Sequence, residues 1–88
     1  MKILFTDKAE KQFSKICKSD LRTAKLISSK LQEMADNPDR IYDIKKLKGS
    51  SSPVYRLRVG SYRLLFIIQE NKDIIISAIL HRREAYND

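Results

Sequence analysis

The stretch that decides the fold alternates apolar and polar side chains on both sides of a two-residue turn. It runs Val54-Tyr55-Arg56-Leu57-Arg58-Val59-Gly60-Ser61-Tyr62-Arg63-Leu64-Leu65-Phe66. A period of two is typical of half-buried β-strands, and the dipeptide Gly60-Ser61 favours a tight hairpin turn. If this dipeptide is the whole turn, Val59 lies opposite Tyr62 and Arg58 lies opposite Arg63. The stretch therefore predicts an antiparallel hairpin with one apolar face and one arginine face.

A third strand is predicted from Ile74 to Leu80. A four-residue loop before it pairs Gln69 with Ile74, and the same register places Arg63 opposite Leu80. Directly opposed residues point to the same face of a sheet, and Arg82, two residues beyond Leu80, points the same way. Arginines from three strands are thus predicted to meet on one side of one sheet end: Arg56, Arg58, Arg63 and Arg82.

Two amphipathic helices precede the hairpin. Asp7 can cap the first helix, with Glu10 three residues on in the manner of a capping box. The second helix begins at Ser19 or Asp20 and ends at Asn37-Pro38. Apolar residues at helical spacing predict two stripes that face the core. The stripes are Ala9, Phe13, Ile16 and Cys17 in the first helix, and Leu21, Ala24, Leu26, Ile27, Leu31, Met34 and Ala35 in the second.

A short strand from Lys2 to Phe5 completes a β-α-α-β-β-β order. Helices on one face of an antiparallel sheet make an α+β fold, and 88 residues allow a single domain over the whole chain. This length excludes any enzyme that needs two lobes. The sequence therefore predicts one α+β domain, with a helical hairpin packed on one face of an antiparallel sheet.

The charge of the chain is concentrated in one segment. The net charge is +7, and residues 40–63 hold seven bases and one acid, so this segment alone carries +6. A localised basic patch favours a polyanionic partner, of which nucleic acid is the commonest. A membrane surface fits less well, because the segment is not an amphipathic helix and no apolar run approaches the ~20 residues of a membrane span.

The single cysteine and the single histidine limit which metal sites and nucleophiles the chain can form. Cys17 is the only cysteine, which fits a reducing, cytoplasmic setting and is more typical of a small core residue than of a nucleophile. With His81 as the only histidine, a zinc site of the usual ligands is not expected. No paired carboxylates converge, and no glycine-rich phosphate loop is present. We therefore expect neither a metal nor a cofactor.

The predicted arginine cluster suits phosphate recognition. Arginine donates two parallel hydrogen bonds to phosphate and stacks on bases. An ordinary solvated face remains an alternative, although such a face usually mixes both signs of charge. His81 lies beside the cluster and is either a general acid or base or a structural hydrogen-bonding residue. Tyr86 either stacks on a base or anchors the C-terminal tail.

The layout resembles the RelE/ParE toxin superfamily of bacterial and archaeal toxin–antitoxin pairs, over essentially the whole chain. The features that carry the resemblance are the opening strand, the helical hairpin and three motifs. The motifs are Lys46-Leu47-Lys48-Gly49, the stretch from Tyr55 to Arg63, and the ending His81-Arg82-Arg83-Glu84-Ala85-Tyr86. The ending and the short hairpin look most like the RelE branch.

The resemblance implies a ribosome-dependent mRNA endonuclease that cuts the A-site codon without a metal, by attack of a ribose 2′-hydroxyl on the adjacent phosphate. It also implies roles for individual residues. Arg56 and Arg58 match the paired basic positions, Arg63 the phosphate-stabilising arginine, Arg82 the leaving-group arginine and Tyr86 the base-stacking aromatic. Further RNA contacts are expected from Lys45, Lys46, Lys48 and Arg83.

One departure from the family pattern affects the mechanism. In the best-known members the paired positions are lysines, and one of them is assigned as the general base. Arg56 and Arg58 stand there in this chain, and arginine stays protonated in proteins. Arg58 can therefore stabilise charge but is a poor base, which leaves either His81 or substrate positioning and electrostatics to drive the reaction.

The resemblance also implies protein partners. A small RelB-like antitoxin is expected to wrap the toxin, and the toxin–antitoxin complex is expected to bind its own operator DNA through the antitoxin. An apolar patch on the arginine face offers a dock for the antitoxin; it comprises Leu65, Ile67, Ile76 and Ala78. Two other functions stay open at this point: a ParE-like toxin that poisons DNA gyrase without cutting RNA, and a degenerate toxin that only binds DNA or antitoxin.

Overall fold

The structure is a computed structural model that describes residues 2–37, 44–47 and 54–83. Seven elements follow one another along the chain. They are β1 (Ile3–Phe5), α1 (Asp7–Ser19), α2 (Leu21–Asp36), β2 (Ile44–Leu47), β3 (Val54–Val59), β4 (Tyr62–Ile68) and β5 (Ile74–His81). The prediction of an α+β fold with a helical hairpin against one sheet is confirmed.

The sheet is mixed rather than wholly antiparallel. Its strand order is β1-β5-β4-β3-β2, and β1 runs parallel to β5 while all other pairs are antiparallel. The difference follows from β2, which the sequence analysis did not predict. Suppose that the chain reverses direction at each connection between consecutive elements. The predicted six elements, without β2, have five connections, so the first and last strands would be antiparallel. The seven observed elements have six connections. An even number makes β1 and β5 parallel.

The register of the β3–β4 hairpin is confirmed. Val59 pairs with Tyr62, Arg58 with Arg63 and Arg56 with Leu65. The turn works because Gly60 adopts φ 58°, a left-handed conformation that glycine takes without steric cost. The two-residue turn therefore fixes which side chains of both strands share a face.

The β4–β5 ladder contains a β-bulge that the sequence analysis did not predict. Arg63 pairs with Leu80 as predicted, but the pairing of Gln69 with Ile74 is wrong, because Ile74 pairs with Ile68 instead. The register shifts between Leu65 and Phe66, whose partners Ala78 and Ile76 flank the extra residue, Ser77. Two hydrogen bonds hold this residue: its hydroxyl donates to the Leu65 carbonyl, and its carbonyl accepts from the Thr6 hydroxyl, both at 3.2 Å.

The cap of α1 differs from the prediction. Thr6, not Asp7, is the N-cap, and its hydroxyl accepts from the Ala9 N–H at 3.2 Å. Asp7 is the first helical residue, so Glu10 does not stand at the capping-box spacing. Both side chains can cap a helix, but Thr6 is held by β5, where its N–H donates to the Ile76 carbonyl at 3.0 Å. The start of α1 is thereby fixed to the sheet.

The boundaries of α2 agree with the sequence. Asp20 caps its N-terminus and accepts from the N–H of Thr23 at 3.1 Å and from the Thr23 hydroxyl at 2.6 Å. These two bonds, the hydroxyl bond foremost, lower the pKa of Asp20. The helix ends at Asp36 with Asn37 as its C-cap. Both described helices are too short or too polar to cross a membrane.

The core lies between the helices and one face of the sheet. It joins residues of both helices to the alternate strand residues on that face: Ala9, Ile16, Ala24, Ile27, Leu31, Met34, Leu57, Val59, Leu64, Phe66, Ile74, Ile76 and Ile79. Phe13 and Cys17 pack against it, partly buried. The assignment of Leu21 and Leu26 to the core is wrong, because they are 56% and 44% exposed. Leu26 precedes the buried Ile27 by about 100° around the helix, which turns it out of the core.

Candidate phosphate site at one end of the sheet

Three arginines line one small cavity at the end of the sheet. Arg58 comes from β3, Arg63 from the start of β4, and Arg82 follows β5 directly. The cavity measures about 170 Å³ and is completed by the turn residues Gly60 and Ser61 and by Tyr62. None of these lining residues is acidic, and three of the six are arginines.

A backbone hydrogen bond holds the cavity together. The N–H of Arg82 donates to the carbonyl of Ser61 at 2.7 Å, which ties the end of β5 to the β3–β4 turn. Arg58 and Arg63 are directly opposed across the hairpin. Like charges in that position repel, so the pair suits an anionic ligand. The geometry suits a phosphate, because each guanidinium can donate two hydrogen bonds to it.

The fourth predicted arginine is set apart from the other three. Arg56 pairs with Leu65 on one side and with Lys45 on the other, and it does not line the cavity. It is only 8% exposed, whereas Arg58 is exposed. Arg56 therefore lies further along the same face, two residues from the cavity.

His81 stands on the other side of the sheet from the opposed arginines. It pairs with Tyr62, next to the Arg63–Leu80 pair, and the two rings meet edge-to-face at 5.2 Å. Its Nδ1 accepts a hydrogen bond from the N–H of Arg83 at 3.2 Å, so that the proton of the neutral ring is on Nε2. His81 does not line the cavity. Its predicted role in proton transfer stays a prediction.

The remaining predicted RNA contacts are spread over the chain. Arg83 is exposed just after β5. The backbone of Lys45 pairs with Arg56 and that of Lys46 with Tyr55, at the β2 edge of the sheet. Lys48 and Tyr86 lie outside the described residues.

One member of the predicted antitoxin patch is misplaced. Ile76 is completely buried on the helix-covered face, where it pairs with Phe66. The bulge at Ser77 causes the error, because it brings Ile75 opposite Ile67 in place of Ile76. The rest of the patch stays on the arginine face. Leu65 and Ile67 are half-buried and Ala78 is 5% exposed.

Metal ligands are not gathered anywhere in the part of the chain that the structure describes. No group of three or more His, Cys, Asp or Glu residues in residues 2–37, 44–47 and 54–83 is close enough to hold an ion.

Comparison with known families places the chain. The model of the ParE toxin of type II toxin–antitoxin systems matches residues 3–86. The chain belongs to this toxin family. The toxin is also 36% identical over 88 residues to Toxin RelE3 of Methanocaldococcus jannaschii, covering 99% of this chain and 97% of that protein. The resemblance to the RelE/ParE superfamily is thus confirmed, and the chain is the toxin of a type II toxin–antitoxin system.

Solved structures of the family share the fold of the toxin. The antitoxin–toxin complex RelB–RelE of Methanococcus jannaschii superposes with a TM-score of 0.76 at 28% identity, covering 96% of this chain and 95% of that one. A YoeB/ParE toxin of Agrobacterium tumefaciens also gives a TM-score of 0.76, at 14% identity over 92% of this chain and 98% of that one. At that identity the second likeness concerns the fold alone.

Three residues that line the cavity of the toxin are not among the predicted site residues: Gly60, Ser61 and Tyr62. The sequence predicts Gly60 and Ser61 only as turn residues and Tyr62 as part of the apolar face. All three stand where the strands end, so they reach the rim of the cavity even though the alternation assigns Tyr62 to the core side. Proximity to the turn was the signal available in the sequence.

Proposed function

We propose that the toxin is an endoribonuclease that cuts mRNA in the ribosomal A site. The observation that carries the proposal is the cavity lined by Arg58, Arg63 and Arg82. Three cations around a phosphate-sized space suit phosphodiester cleavage, because negative charge builds up on the phosphate oxygens in the transition state.

The proposed reaction uses the RNA itself as nucleophile. The ribose 2′-oxygen forms a bond to the adjacent phosphorus and loses its proton, while the bond to the 5′-oxygen breaks. The products are a 2′,3′-cyclic phosphate and a 5′-hydroxyl, which receives a proton. We propose this chemistry without a metal or any other cofactor.

The residues take separate roles in this scheme. Arg63 and Arg58 stabilise the crowded phosphate oxygens, and Arg82 stabilises the leaving 5′-oxygen. Arg56 supports the charge of the face from its buried position. Tyr86 stacks on a base, and the RNA strand is held by Lys45, Lys46, Lys48 and Arg83.

The proton that leaves the 2′-hydroxyl needs an acceptor other than arginine. His81 is the only histidine of the chain, and histidine is the residue type that most often acts as a general acid or base. It reaches the cavity only through Tyr62, whose ring it touches and which lines the cavity. We therefore assign most of the rate enhancement to positioning and electrostatics, with His81 at most a relay through Tyr62 or water.

The toxin is proposed to act in the cytoplasm and to be neutralised there by a RelB-like antitoxin. Support comes from the complex of Methanococcus jannaschii, whose toxin binds such a partner. The proposed dock is the apolar patch as corrected by the bulge, in which Ile75 replaces Ile76: Leu65, Ile67, Ile75 and Ala78. The complex is proposed to reach operator DNA through the antitoxin.

A gyrase poison is the second candidate. The family that matches this chain is that of the ParE toxin, and ParE-like toxins are the ones that the resemblance associates with gyrase. Such a toxin would bind gyrase and leave mRNA intact. The arginine cavity favours the nuclease, since a protein poison has no need of a phosphate-sized cationic pocket.

Primer extension in a purified translation system separates the two functions. We expect wild-type toxin to cut mRNA inside ribosome-occupied codons and to leave it intact without ribosomes. Arg63→Ala should cut about 10²–10³-fold more slowly, the usual cost of removing one such charge-stabilising donor. Arg22→Ala, which removes an exposed arginine of α2, is the matched control and should cut normally. Intact mRNA with a toxic wild-type protein, together with loss of gyrase supercoiling activity, would overturn the nuclease.

A further inference from the structure

The chain leaves β5 through a turn that carries Arg82. The strand ends at His81, and Arg82 and Arg83 form the turn directly after it. Arg82 is exposed and lines the arginine cavity. Its side chain forms no hydrogen bond or ion pair with any residue in the described part of the chain. The direction of this guanidinium group therefore depends on the backbone that carries it.

Two hydrogen bonds restrain the backbone on either side of Arg82. The N–H of Arg82 donates to the Ser61 carbonyl at 2.7 Å, which holds the peptide group before its Cα. The N–H of Arg83 donates to Nδ1 of His81 at 3.2 Å, which holds the peptide group after it. Because peptide groups are planar, φ and ψ are the only soft backbone angles of Arg82. Restraining both neighbouring peptide groups therefore restrains the direction of its Cα–Cβ bond.

The hydrogen bond between Arg83 and His81 is local, since it spans only two residues. Asparagine and aspartate form the same kind of bond in turns, where the side chain accepts from the N–H two residues further along. Nδ1 of histidine and Oδ1 of asparagine are both separated from Cα by three covalent bonds. His81 therefore acts at this turn as an asparagine would, with an imidazole ring in place of the amide.

Tyr62 packs against the ring of His81. The two residues pair across β4 and β5, and their rings meet edge-to-face with centroids 5.2 Å apart and planes at 89°. Tyr62 itself lines the arginine cavity. The imidazole thus lies between a residue of the cavity wall and the turn that carries Arg82.

We infer that His81 is a positioning residue for Arg82. Its Nδ1 fixes the turn after β5, so that the side chain of Arg82 is directed to a phosphate in the arginine cavity. The inference rests on the proposed function, because it concerns the arginine that stabilises the leaving oxygen. This task needs a hydrogen-bond acceptor at position 81 and no proton transfer.

The test compares two amide side chains at position 81. His81→Asn keeps an acceptor three bonds from Cα, whereas His81→Gln moves the acceptor one bond further and is the matched control. Neither amide can act as a general base. In single-turnover cleavage of ribosome-bound mRNA, we expect His81→Asn to stay within about threefold of the wild-type rate. His81→Gln should be slower by about tenfold to a hundredfold, because a small misplacement of a catalytic group has an effect of this size.

A third variant separates the hydrogen bond from the ring contact. His81→Phe keeps an aromatic ring against Tyr62 but has no acceptor for the Arg83 N–H. We expect it to cut mRNA as slowly as His81→Gln. A phenylalanine variant that cuts at the wild-type rate would overturn the inference, because packing against Tyr62 would then be the whole role of His81.

A double-mutant cycle shows whether the effect passes through Arg82. Arg82→Ala alone should slow cleavage by about 10²–10³-fold. If His81 acts by directing this arginine, His81→Gln should slow the Arg82→Ala variant by less than about twofold more. Losses that multiply would overturn the inference. All variants should unfold at nearly the wild-type temperature, since the hydrogen bond between Arg83 and His81 is exposed.

Amide hydrogen exchange tests the contact without any cleavage. Measured by NMR, the Arg83 amide should exchange at similar rates in wild type and His81→Asn, and at least about tenfold faster in His81→Gln. Equal exchange in the two amide variants would overturn the inference, and so would a His81→Asn variant that cuts as slowly as His81→Gln. A toxin that protects this amide as expected but never cuts mRNA would refute the nuclease and leave the orientation of Arg82 by His81 standing.

Discussion

The two faces of the central strands are built from alternate residues of the same segments, and they have opposite characters. On the helix-covered face, Leu57, Leu64 and Phe66 are at most 2% exposed. On the other face, Arg58 is exposed and Arg63 is half-buried. Along β3 and β4, each residue of the core face is followed directly by a residue of the arginine face.

From this contrast we expect the core-face residues of β3 and β4 to serve stability and the arginine-face residues to serve the proposed activity. A side chain can be removed from one face without changing the neighbour that serves the other, provided that the register holds. Substitutions on the core face should therefore lower stability, whereas substitutions on the arginine face should lower activity. The following changes test that separation, from the largest expected effect to the smallest.

Replacing Phe66 tests the core face most strongly. Phe66 is 1% exposed and stacks on Tyr55 with ring centroids 5.6 Å apart. Phe66→Ala should lower the free energy of unfolding by about 3–5 kcal/mol, because it leaves a cavity in the core. Ile67→Ala, one residue along and half-buried on the other face, should cost only about 1–2 kcal/mol. Urea denaturation measures both, and equal losses would show that the second face is as tightly packed as the first.

Thr6 tests how the helices are held to the sheet. Its hydroxyl caps α1 and also donates to the Ser77 carbonyl in the bulge. Thr6→Ala should lower the free energy of unfolding by about 1–2 kcal/mol, the upper range for a helix cap, while Thr6→Ser should stay close to wild type. If the serine variant lost as much in thermal denaturation, packing of the threonine methyl group would be the cause instead of the hydroxyl.

The turns at the two ends of β4 differ in backbone strain. Gly60 takes its positive φ without cost, but Lys72 takes φ 74° with a side chain. Lys72→Gly should raise the free energy of unfolding by about 0.5–1 kcal/mol and leave the arginine face unchanged. A lower melting temperature would mean that the lysine side chain contributes more than the strain removes.

The cap of α2 gives the smallest effect, and it depends on pH. Because the Thr23 hydrogen bonds lower the pKa of Asp20 in the folded state, its contribution to stability is fully present above the unfolded pKa of about 3.9. That contribution is lost as the pH falls through the folded pKa. Wild type should therefore lose slightly more stability than Asp20→Asn between pH 5 and pH 2, as measured by urea denaturation. Parallel curves would contradict this assignment.

The sequence specified the β3–β4 register because alternation and a turn dipeptide act together there. It did not specify the β4–β5 register near the second turn, since Ile74, Ile75 and Ile76 are all apolar and give no signal of period two. The same ambiguity misplaced Ile76 in the antitoxin patch. The predicted pairing of Arg63 with Leu80 is nevertheless correct. The register predicted at the turn is wrong by one residue, and the bulge shifts the register back by one residue before Arg63.

The location of His81 shows a different reason for an incomplete prediction. Nearness in sequence to Arg82 suggested that both would serve one site. The structure instead puts His81 opposite Tyr62, because successive strand residues point to opposite faces.

The missed strand β2 has a third cause. Its four residues, Ile44–Leu47, have two apolar ends around two lysines, which is neither a strand nor a helix pattern.

The bulge at Ser77 uncouples the length of one hairpin loop from the orientation of the arginine end. In a regular strand, each residue added or removed reverses every side chain beyond it. Here Ser77 is an extra, unpaired residue that hydrogen-bonds to Thr6 and Leu65, and it shifts the register by one residue before the strand reaches Ala78. The loop between β4 and β5 can therefore be shortened, grafted or exchanged during protein engineering. If the new loop changes the register by one residue, deleting Ser77 or inserting a residue at the bulge should restore the original side-chain orientation. The three arginines of the cavity then keep their positions.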